Sequence, residues 1–199
     1  MPTRILLIRH GLTEANAKKQ YCGSLDLGLS EQGRQQARKL SYRLRREKVR
    51  NIYASDKRRA IESAKLIFKG RKITRRHDLR EIDFGIFEGK SHSQIMRSHS
   101  SIYQKWLNDP YHTFVPEAES LNSFQERVRS ALKEIVSCAK DEITAIVCHG
   151  GTISVILSGI CRSKKFWEFI PGSGSLSAIE YKKNKAEITL FNDISHLSS

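Results

Sequence analysis

Near its beginning the chain reads Ile5-Leu6-Leu7-Ile8-Arg9-His10-Gly11, an apolar run that stops at an arginine, a histidine and a glycine. A short apolar run without polar alternation is typical of a strand that is covered on both faces, as in a parallel sheet between two layers of helices. A later run, Ile143-Thr144-Ala145-Ile146-Val147, leads into His149-Gly150-Gly151 in the same way. The sequence therefore predicts two buried strands that each lead into a His-Gly step.

The rest of the chain alternates between helical and extended patterns. Ala37, Leu40 and Leu44 share one face of a predicted helix, because residues three and four apart lie on the same side. Similar patterns predict helices over residues 30–46, 57–68 and 121–138, strands over residues 51–55, 176–181 and 186–191, and a hairpin turn at Lys182-Lys183-Asn184-Lys185. Crossover helices between strands indicate an α/β fold: a three-layer α/β/α sandwich whose central sheet is mostly parallel, with an antiparallel edge.

The length of 199 residues suits one domain, and no linker-like or repeated segment divides the chain. We expect a single domain over residues 1–199 with a helical insertion at about 91–120, which contains Trp106 and is broken by Pro110 and Pro116. Apolar residues make up 39% of the chain, and their runs are short. This composition excludes collagen-like, disordered and membrane-spanning proteins.

The charge is the unusual feature of the composition. The formal net charge is +14, and residues 34–80 contain 18 lysines and arginines but only four acidic residues. Such an excess raises nucleic acid, anionic membranes and anionic metabolites as partners. We interpret this basic segment first as the solvated faces of two helices rather than as a functional patch.

The cysteines and the N-terminus bear on the cellular compartment. Cys22, Cys138, Cys148 and Cys161 have no Cys-x-x-Cys spacing, so we expect free thiols rather than a zinc site or disulfides. The apolar run that begins at Ile5 is interrupted by Arg9 and is too short for a secretion signal. We therefore expect a cytoplasmic protein.

The two His-Gly steps are predicted to meet. In an open parallel sheet the ligand crevice lies beyond the carboxyl ends of the strands, so His10 and His149 would share one cleft. Either histidine alone would be read as an ordinary loop residue. Together they indicate a candidate site at this edge of the sheet.

Several short blocks of sequence carry a resemblance to a known family. They are Arg9-His10-Gly11, Asn16, Ser55-x-x-x-Arg59-Ala60, Leu79-x-Glu81-x-x-Phe84-Gly85-x-x-Glu88-Gly89, His149-Gly150-Gly151 and Asn192-Asp193-x-x-His196-Leu197. In this order and at these intervals they resemble the histidine phosphatase superfamily, which includes cofactor-dependent phosphoglycerate mutases. The resemblance implies a phosphoglycerate mutase-like fold and transfer of a phosphoryl group through a phosphohistidine.

The resemblance implies catalytic roles for His10, Glu81 and His149. His10 would be the nucleophile, which needs one unprotonated ring nitrogen while a backbone or carboxyl acceptor holds the opposite N–H. Glu81 would donate a proton to the leaving oxygen and then activate water, since a carboxyl group beside a phosphate dianion has a raised pKa. His149, if protonated, would add positive charge beside the phosphate.

The resemblance also implies a phosphate-binding set and two supporting residues. The residues implied to bind the substrate phosphate are Arg9, Asn16, Arg59, His149 and Gly150. Arginine suits this role because its planar guanidinium matches phosphoryl oxygens. Gly11 would allow close approach of the backbone to the phosphate, and the Ser55 hydroxyl would position the neighbourhood of His10. No metal and no other cofactor is required.

Other residues favour one branch of the family. The acid segment, from Leu79 to Gly89, and Trp106-x-x-Asp109-Pro110 resemble broad-specificity phosphatases and α-ribazole-5′-phosphate phosphatases. The chain departs from that branch at Pro116-Glu117-Ala118-Glu119-Ser120, where Pro-Gly-Gly-Glu-Ser is common. The loss of both glycines predicts a different backbone at the pocket rim.

The sequence thus predicts a phosphoric monoester hydrolase that is independent of metals and acts on a small phosphorylated metabolite, with α-ribazole 5′-phosphate as a candidate. One alternative is phosphoryl transfer of the phosphoglycerate mutase type. Another is a basic module that binds nucleic acid or an acidic protein, which only the charge supports. No membrane or nucleic-acid partner is expected, and a homodimer is a candidate assembly.

Overall fold

The computed structural model describes residues 2–139, 141–163, 165–183 and 185–198. Within these residues the strands are β1 (Thr3–Arg9), β2 (Val49–Ser55), β3 (Thr74–Arg76), β4 (Ile143–Cys148), β5 (Leu176–Lys182) and β6 (Lys185–Asp193). They form one sheet in the order β3-β2-β4-β1-β5-β6. The pairs among β1 to β4 are parallel, whereas β5 pairs antiparallel with both β1 and β6.

The helices connect these strands across both faces of the sheet. They are α1 (Glu14–Ala17), α2 (Glu31–Leu44), α3 (Arg58–Ile67), α4 (His92–Asn108), α5 (Leu121–Cys138) and α6 (Gly150–Cys161). Short 3₁₀ turns lie at His77–Leu79, Gly85–Phe87, Phe166–Phe169 and Ser195–Leu197. No helix in the described part of the chain is long and apolar enough to cross a membrane.

The apolar run that begins at Ile5 builds both layers of the core. Ile5 and Leu7 pack into the cluster formed with α5 and α6 on one face of the sheet. Leu6 and Ile8 pack into the cluster formed with α2 and α3 on the other face. All four side chains are fully buried because successive residues of a strand point to opposite faces. This strand has no polar alternation because both of its faces are covered.

The predicted α/β/α sandwich with a mostly parallel sheet and an antiparallel edge is confirmed. Two small elements were not predicted: β3 is only three residues long, and α1 only four. Segments this short carry too few residues for a periodic pattern. Asn184, in the predicted hairpin turn, lies outside the described residues.

The segment predicted as a helical insertion contains α4. A non-helical residue, His99, interrupts α4, and Tyr103 and Trp106 pack beyond it in a separate cluster with Phe87 and Ile95. The helix begins at a capping box in which Ser91 accepts a hydrogen bond from the backbone N–H of Gln94. This cluster covers the loop that contains the acid segment. A single domain over the whole chain stays a prediction.

Close backbone packing joins the end of β1 to the start of α2. A Cβ atom on Gly33 would lie 2.1 Å from the carbonyl oxygen of Leu12, and one on Gly11 would lie 2.3 Å from the carbonyl oxygen of Gly33. Ser30, the N-cap of α2, also donates from its hydroxyl to the Leu12 oxygen. The contact with α2 is therefore sufficient to require glycine at position 11, and the approach of its backbone to a phosphate stays a prediction.

We predict that Gly33→Ala lowers the free energy of unfolding by about 2 kcal/mol, because overpacking against rigid backbone outweighs the better helix propensity of alanine. The matched control is Gly159→Ala in α6, where the nearest atom to the added Cβ is Arg129 Nε at 3.8 Å. This control is expected to be neutral or stabilising. Urea unfolding of both variants measures the difference, and equal stability of the two would contradict the packing explanation.

Candidate active site

His10 follows β1 and is held by its own backbone. Its Nδ1 lies 2.8 Å from the carbonyl oxygen of Gly11. A carbonyl oxygen only accepts hydrogen bonds, so Nδ1 carries a hydrogen. Burial lowers the pKa of His10 well below its usual value, and the positive charges of Arg59 and Arg9 lower it further. The imidazole is therefore neutral, with a free lone pair on Nε2.

His149 follows β4 and caps the N-terminus of α6. Its Nδ1 accepts a hydrogen bond of 3.2 Å from Arg59 Nε, and its Nε2 lies 2.8 Å from the Ser55 hydroxyl. Because Nδ1 accepts, the ring is neutral, and burial and the charge of Arg59 lower its pKa well below the usual value. The ring is thus neutral without substrate, and a protonated His149 beside a bound phosphate stays a prediction. Ser55 thus contacts His149 directly.

The structure brings the two histidines together. Their ring centroids are 5.1 Å apart, in an edge-to-face arrangement. The backbone pairing of β1 with β4 explains this proximity, since Arg9 lies opposite Cys148 and the His10 N–H donates to the Cys148 carbonyl oxygen. The carboxyl ends of two adjacent parallel strands therefore form the centre of the site, as the sequence predicts.

Arg9 lies against the first residue of α6. A Cβ atom on Gly150 would be 3.3 Å from the Arg9 guanidinium carbon, so glycine keeps space there. One terminal nitrogen of Arg9 donates to the carbonyl oxygen of Pro171. Its Nε is buried and has no hydrogen-bond partner in the described structure. Burial lowers the pKa of Arg9, while the nearby charge of Glu81 opposes that effect.

Arg59 is only 1% exposed, and most of its donors are occupied. Besides the bond to His149, its terminal nitrogens donate to the carbonyl oxygens of Leu25 at 2.7 Å, Cys22 at 3.1 Å and Gly23 at 3.0 Å. The guanidinium therefore holds the loop at residues 22–25 over the site. The phosphate contact implied for Arg59 by the resemblance would require some of these bonds to change.

Glu81 faces the first turn of α6. Its Oε2 accepts a hydrogen bond of 2.8 Å from the Gly151 N–H, and its Oε1 accepts one of 3.1 Å from the Ile82 N–H. A Cβ atom on Gly151 would lie 2.3 Å from Oε1, so the carboxyl group needs glycine at that position. Burial raises the pKa of Glu81 although these bonds and both site arginines oppose the shift.

Asn16 belongs to the capping box of α1. Its side-chain oxygen accepts from the N–H of Thr13 at 3.3 Å and from the Thr13 hydroxyl at 3.0 Å. Because these two bonds fix the oxygen, the amide NH₂ is left as the free donor of the side chain. A neutral donor of this kind suits a phosphoryl oxygen.

Two further residues support the site. Ser63 accepts from the Gly11 N–H at 3.0 Å and donates to the Arg59 carbonyl oxygen at 2.8 Å. Glu88 accepts 2.9 Å bonds from the N–H groups of Gly23 and Ser24, so it has a structural role in the loop. The four-residue spacing of Ser63 from Arg59 on one helix face was the available signal for Ser63.

Arg127 was missed by the sequence analysis. It donates to the carbonyl oxygens of Arg80 at 2.9 Å and Glu81 at 3.1 Å, and it forms a bidentate pair with Glu119 at 2.6 and 2.7 Å. It therefore fixes the backbone that presents Glu81. A single arginine in the amphipathic helix α5 gives no local signal of such a long-range contact.

A cavity of about 250 Å³ adjoins Glu81. Side chains of both charges line it: Lys57, Arg80 and Arg127 carry positive charge, and Asp83 and Glu119 carry negative charge. Elsewhere, no three His, Cys, Asp or Glu side chains among the residues described form a group that could hold a metal ion. The site thus offers cationic and neutral donors around His10, beside a small pocket of mixed charge.

Comparisons with known proteins agree with this geometry. A family model described as Histidine phosphatase superfamily (branch 1) matches residues 5–194. Phosphoglycerate mutase-like protein 4 of Arabidopsis thaliana is 31% identical over 97% of this chain and 86% of its own length. Phosphoserine phosphatase 1 of Hydrogenobacter thermophilus is 29% identical over 98% of this chain and 94% of its own. The crystal structure of the alpha-ribazole phosphatase from Shigella flexneri has a TM-score of 0.88 at 27% identity and covers 96% of each chain.

The buried neutral histidines predict a loss of stability in acid. A histidine whose folded pKa is depressed stabilises the fold above its unfolded pKa of about 6.5, and this contribution falls as the pH drops below that value. Between pH 7.5 and 5.5 the unfolded pKa limits this loss to about 1.4 kcal/mol in the free energy of unfolding for each such histidine. His149→Gln should therefore lose less stability than the wild type over this range, by up to about that amount.

The control for this measurement is His112→Gln, because the His112 side chain is 81% exposed. Because the pair of His112 with Asp109 is exposed and such pairs contribute little, the loss of stability of this variant should stay close to that of the wild type. Urea unfolding at both pH values gives the comparison. An unchanged pH dependence in His149→Gln would show that His149 is already protonated in the fold.

Proposed function

The chain belongs to the histidine phosphatase superfamily, and we propose that it is a phosphoric monoester hydrolase that transfers a phosphoryl group first to His10 and then to water. The observation that carries this proposal is the hydrogen bond of 2.8 Å between His10 Nδ1 and the Gly11 oxygen. It leaves Nε2 free to attack phosphorus.

In the first step, the lone pair of Nε2 forms a bond to phosphorus while the bond from phosphorus to the ester oxygen breaks. Protonated Glu81 donates its proton to that leaving oxygen, which departs as an alcohol. The raised pKa of Glu81 favours this role, because it keeps a larger fraction of the carboxyl group protonated near neutral pH.

In the second step, water attacks the phosphohistidine and the bond from phosphorus to Nε2 breaks. The Glu81 carboxylate accepts a proton from this water, so His10 and Glu81 return to their initial states. The backbone N–H groups of Gly151 and Ile82 stabilise the carboxylate between the two steps.

The positive charge of Arg9 and Arg59 stabilises the phosphoryl oxygens in both transition states. Two groups serve as donors to the substrate phosphate: the unpartnered Nε of Arg9 and the Asn16 amide. The absence of a side chain at Gly150 leaves room for the phosphate beside Arg9. Both ring nitrogens of His149 already have partners, Arg59 and Ser55. The ring can form a hydrogen bond with the phosphate only if one of these bonds breaks. In this proposal the charge comes from the protein, so no metal takes part.

The substrate that best suits the cavity beside Glu81 is a small, charged phosphomonoester such as phosphoserine. In this cavity of about 250 Å³, Arg127 and Arg80 are already paired with Glu119 and Asp56. Lys57 and Asp83 form no ion pair within the described residues and can pair with the carboxylate and the ammonium of an amino acid. The aromatic ring of α-ribazole 5′-phosphate would find few apolar contacts there. The phosphatase relative named for phosphoserine supports the same choice. A cytoplasmic location and a homodimer stay predictions.

We predict that His10→Ala abolishes phosphate release and the formation of a phosphoenzyme that is labile in acid and stable in base. Glu81→Gln should lower kcat about 10²- to 10⁴-fold with little change in KM, because only proton transfer is lost. The matched control is Glu126→Gln, an exposed position of α5, which should keep wild-type rates. Full activity of the His10→Ala variant would refute the assignment of His10 as the nucleophile.

The pH dependence should be bell-shaped. Activity should fall at low pH as His10 gains a proton, but only well below the usual histidine range, because its pKa is lowered. It should fall at high pH as Glu81 loses its proton, above the usual range of a glutamate, because its pKa is raised. Values of kcat/KM measured from pH 4 to 9 give both limbs of the profile. In Glu81→Gln the fall in activity at high pH should disappear, because the group that titrates there has been removed.

A substrate panel tests the specificity. We expect kcat/KM for phosphoserine to exceed that for α-ribazole 5′-phosphate at least tenfold, unaffected by a metal chelator. The reverse order would refute the choice of substrate without affecting the hydrolase proposal. Conversion of 3-phosphoglycerate to its isomer, without release of phosphate, would instead indicate a mutase.

A further inference from the structure

A second cavity, of about 640 Å³, lies on the opposite layer from the basic segment. It is formed between α5, the C-terminal part of α6 and β5, and it includes none of the proposed catalytic residues. Leu132, Val136, Ile160 and Tyr181 line it, and all four are partly buried side chains packed against the α5–α6 core. The floor of the cavity is therefore apolar.

The rim of this cavity is cationic. Arg129, Lys133 and Arg162 line it and are exposed. None of the three has an ion-pair partner within the described residues. By contrast, Arg34 and Arg38 of α2 and Arg58 of α3 each form an ion pair with a glutamate. Arg129 Nε lies within 4 Å of the position that a Cβ on Gly159 would take, so this arginine extends over the end of α6.

No acidic side chain lines the cavity. The nearest acids on the hairpin are Glu180 and Glu187, which lie opposite each other in register. Their strand neighbours Tyr181 and Ala186 pack against the α5–α6 core, so the two glutamates point to the other face of the sheet. Two other acids lie near the rim: Glu168 accepts a hydrogen bond of 2.6 Å from the lining residue Ser163, and Glu126 is one turn from Arg129 on α5. Neither forms an ion pair with a rim cation in the part of the chain that the structure describes, so the rim keeps a net positive charge.

We propose that this cavity binds an amphipathic anion, an alkyl chain that ends in a carboxylate, as in a fatty acid. A purely polar anion would leave the apolar floor in contact with water, and an uncharged chain would leave the three cations unpaired. An alkyl carboxylate satisfies both parts, because guanidinium and ammonium groups bind carboxylates and burial of methylene groups is favourable. The volume lies within the range of ordinary ligand sites.

A second copy of the chain is a poorer occupant. The protein has a net charge of +14, and the rim itself is positive, so two copies would repel each other at this surface. Of the two acidic residues of α5, Glu134 already pairs with Arg76 at 2.8 Å, and Glu126 is a single carboxylate beside the three rim cations. A small anion meets no such repulsion.

Decanoate is the probe, measured by isothermal titration calorimetry far below its micelle concentration. We expect one site per chain. The double variant Arg129→Gln/Lys133→Gln should bind decanoate at least tenfold more weakly. The matched control, Lys65→Gln/Lys69→Gln, removes the same charge from exposed positions at the end of α3 and should bind within twofold of the wild type. Unchanged unfolding midpoints establish that both variants fold.

Two further ligands test the two halves of the site separately. Decanol, which lacks the charge, should bind at least tenfold more weakly than decanoate, and butyrate, which lacks most of the chain, at least thirtyfold more weakly. Equal binding of decanol, equal loss in both double variants, several sites per chain or no binding of decanoate would each overturn the proposal. Phosphatase assays are not needed, so the result is independent of the proposed function.

Discussion

The hydrogen bond between His10 Nδ1 and the carbonyl oxygen of Gly11 is the interaction on which the proposed chemistry depends. It fixes the tautomer of a buried imidazole whose pKa is lowered by desolvation and by two arginines. Gly11 itself packs closely against α2, where an added Cβ would lie 2.3 Å from the Gly33 carbonyl oxygen. The carbonyl that fixes the tautomer thus belongs to a residue in a tightly packed part of the scaffold.

The positive charge of the site is organised by a few long-range contacts. Arg59 joins α3 to His149 and to the loop at residues 22–25, while Glu88 fixes the same loop from the other side. Arg127 fixes the backbone that carries Glu81. These groups come from distant parts of the chain, and the carboxyl ends of β1, β2 and β4 bring them together. The charged groups are therefore already gathered around His10, but Arg59 must exchange some of its bonds to the loop or to His149 when it contacts an anion.

The sheet and the meeting of His10 with His149 could be predicted, because unbroken apolar runs mark strands covered on both faces and parallel strands end at one edge. The short strand β3, the contact of Gly11 with α2 and the role of Arg127 could not. Each depends on tertiary packing or on hydrogen bonds between residues far apart, such as Arg127 to the oxygen of Glu81. The neutrality of His149 likewise follows only from the direction of the Arg59 bond.

The protonation of His10 can be observed directly by ¹⁵N NMR of histidine-labelled protein at pH 7. The long-range couplings from the ring protons distinguish the two neutral tautomers and the charged ring. The signals of His10 are identified by their absence from the spectrum of His10→Gln. We expect them to show a neutral ring with hydrogen on Nδ1 and an unprotonated Nε2. A charged ring, or hydrogen on Nε2, would contradict attack by this nitrogen and with it the proposed mechanism.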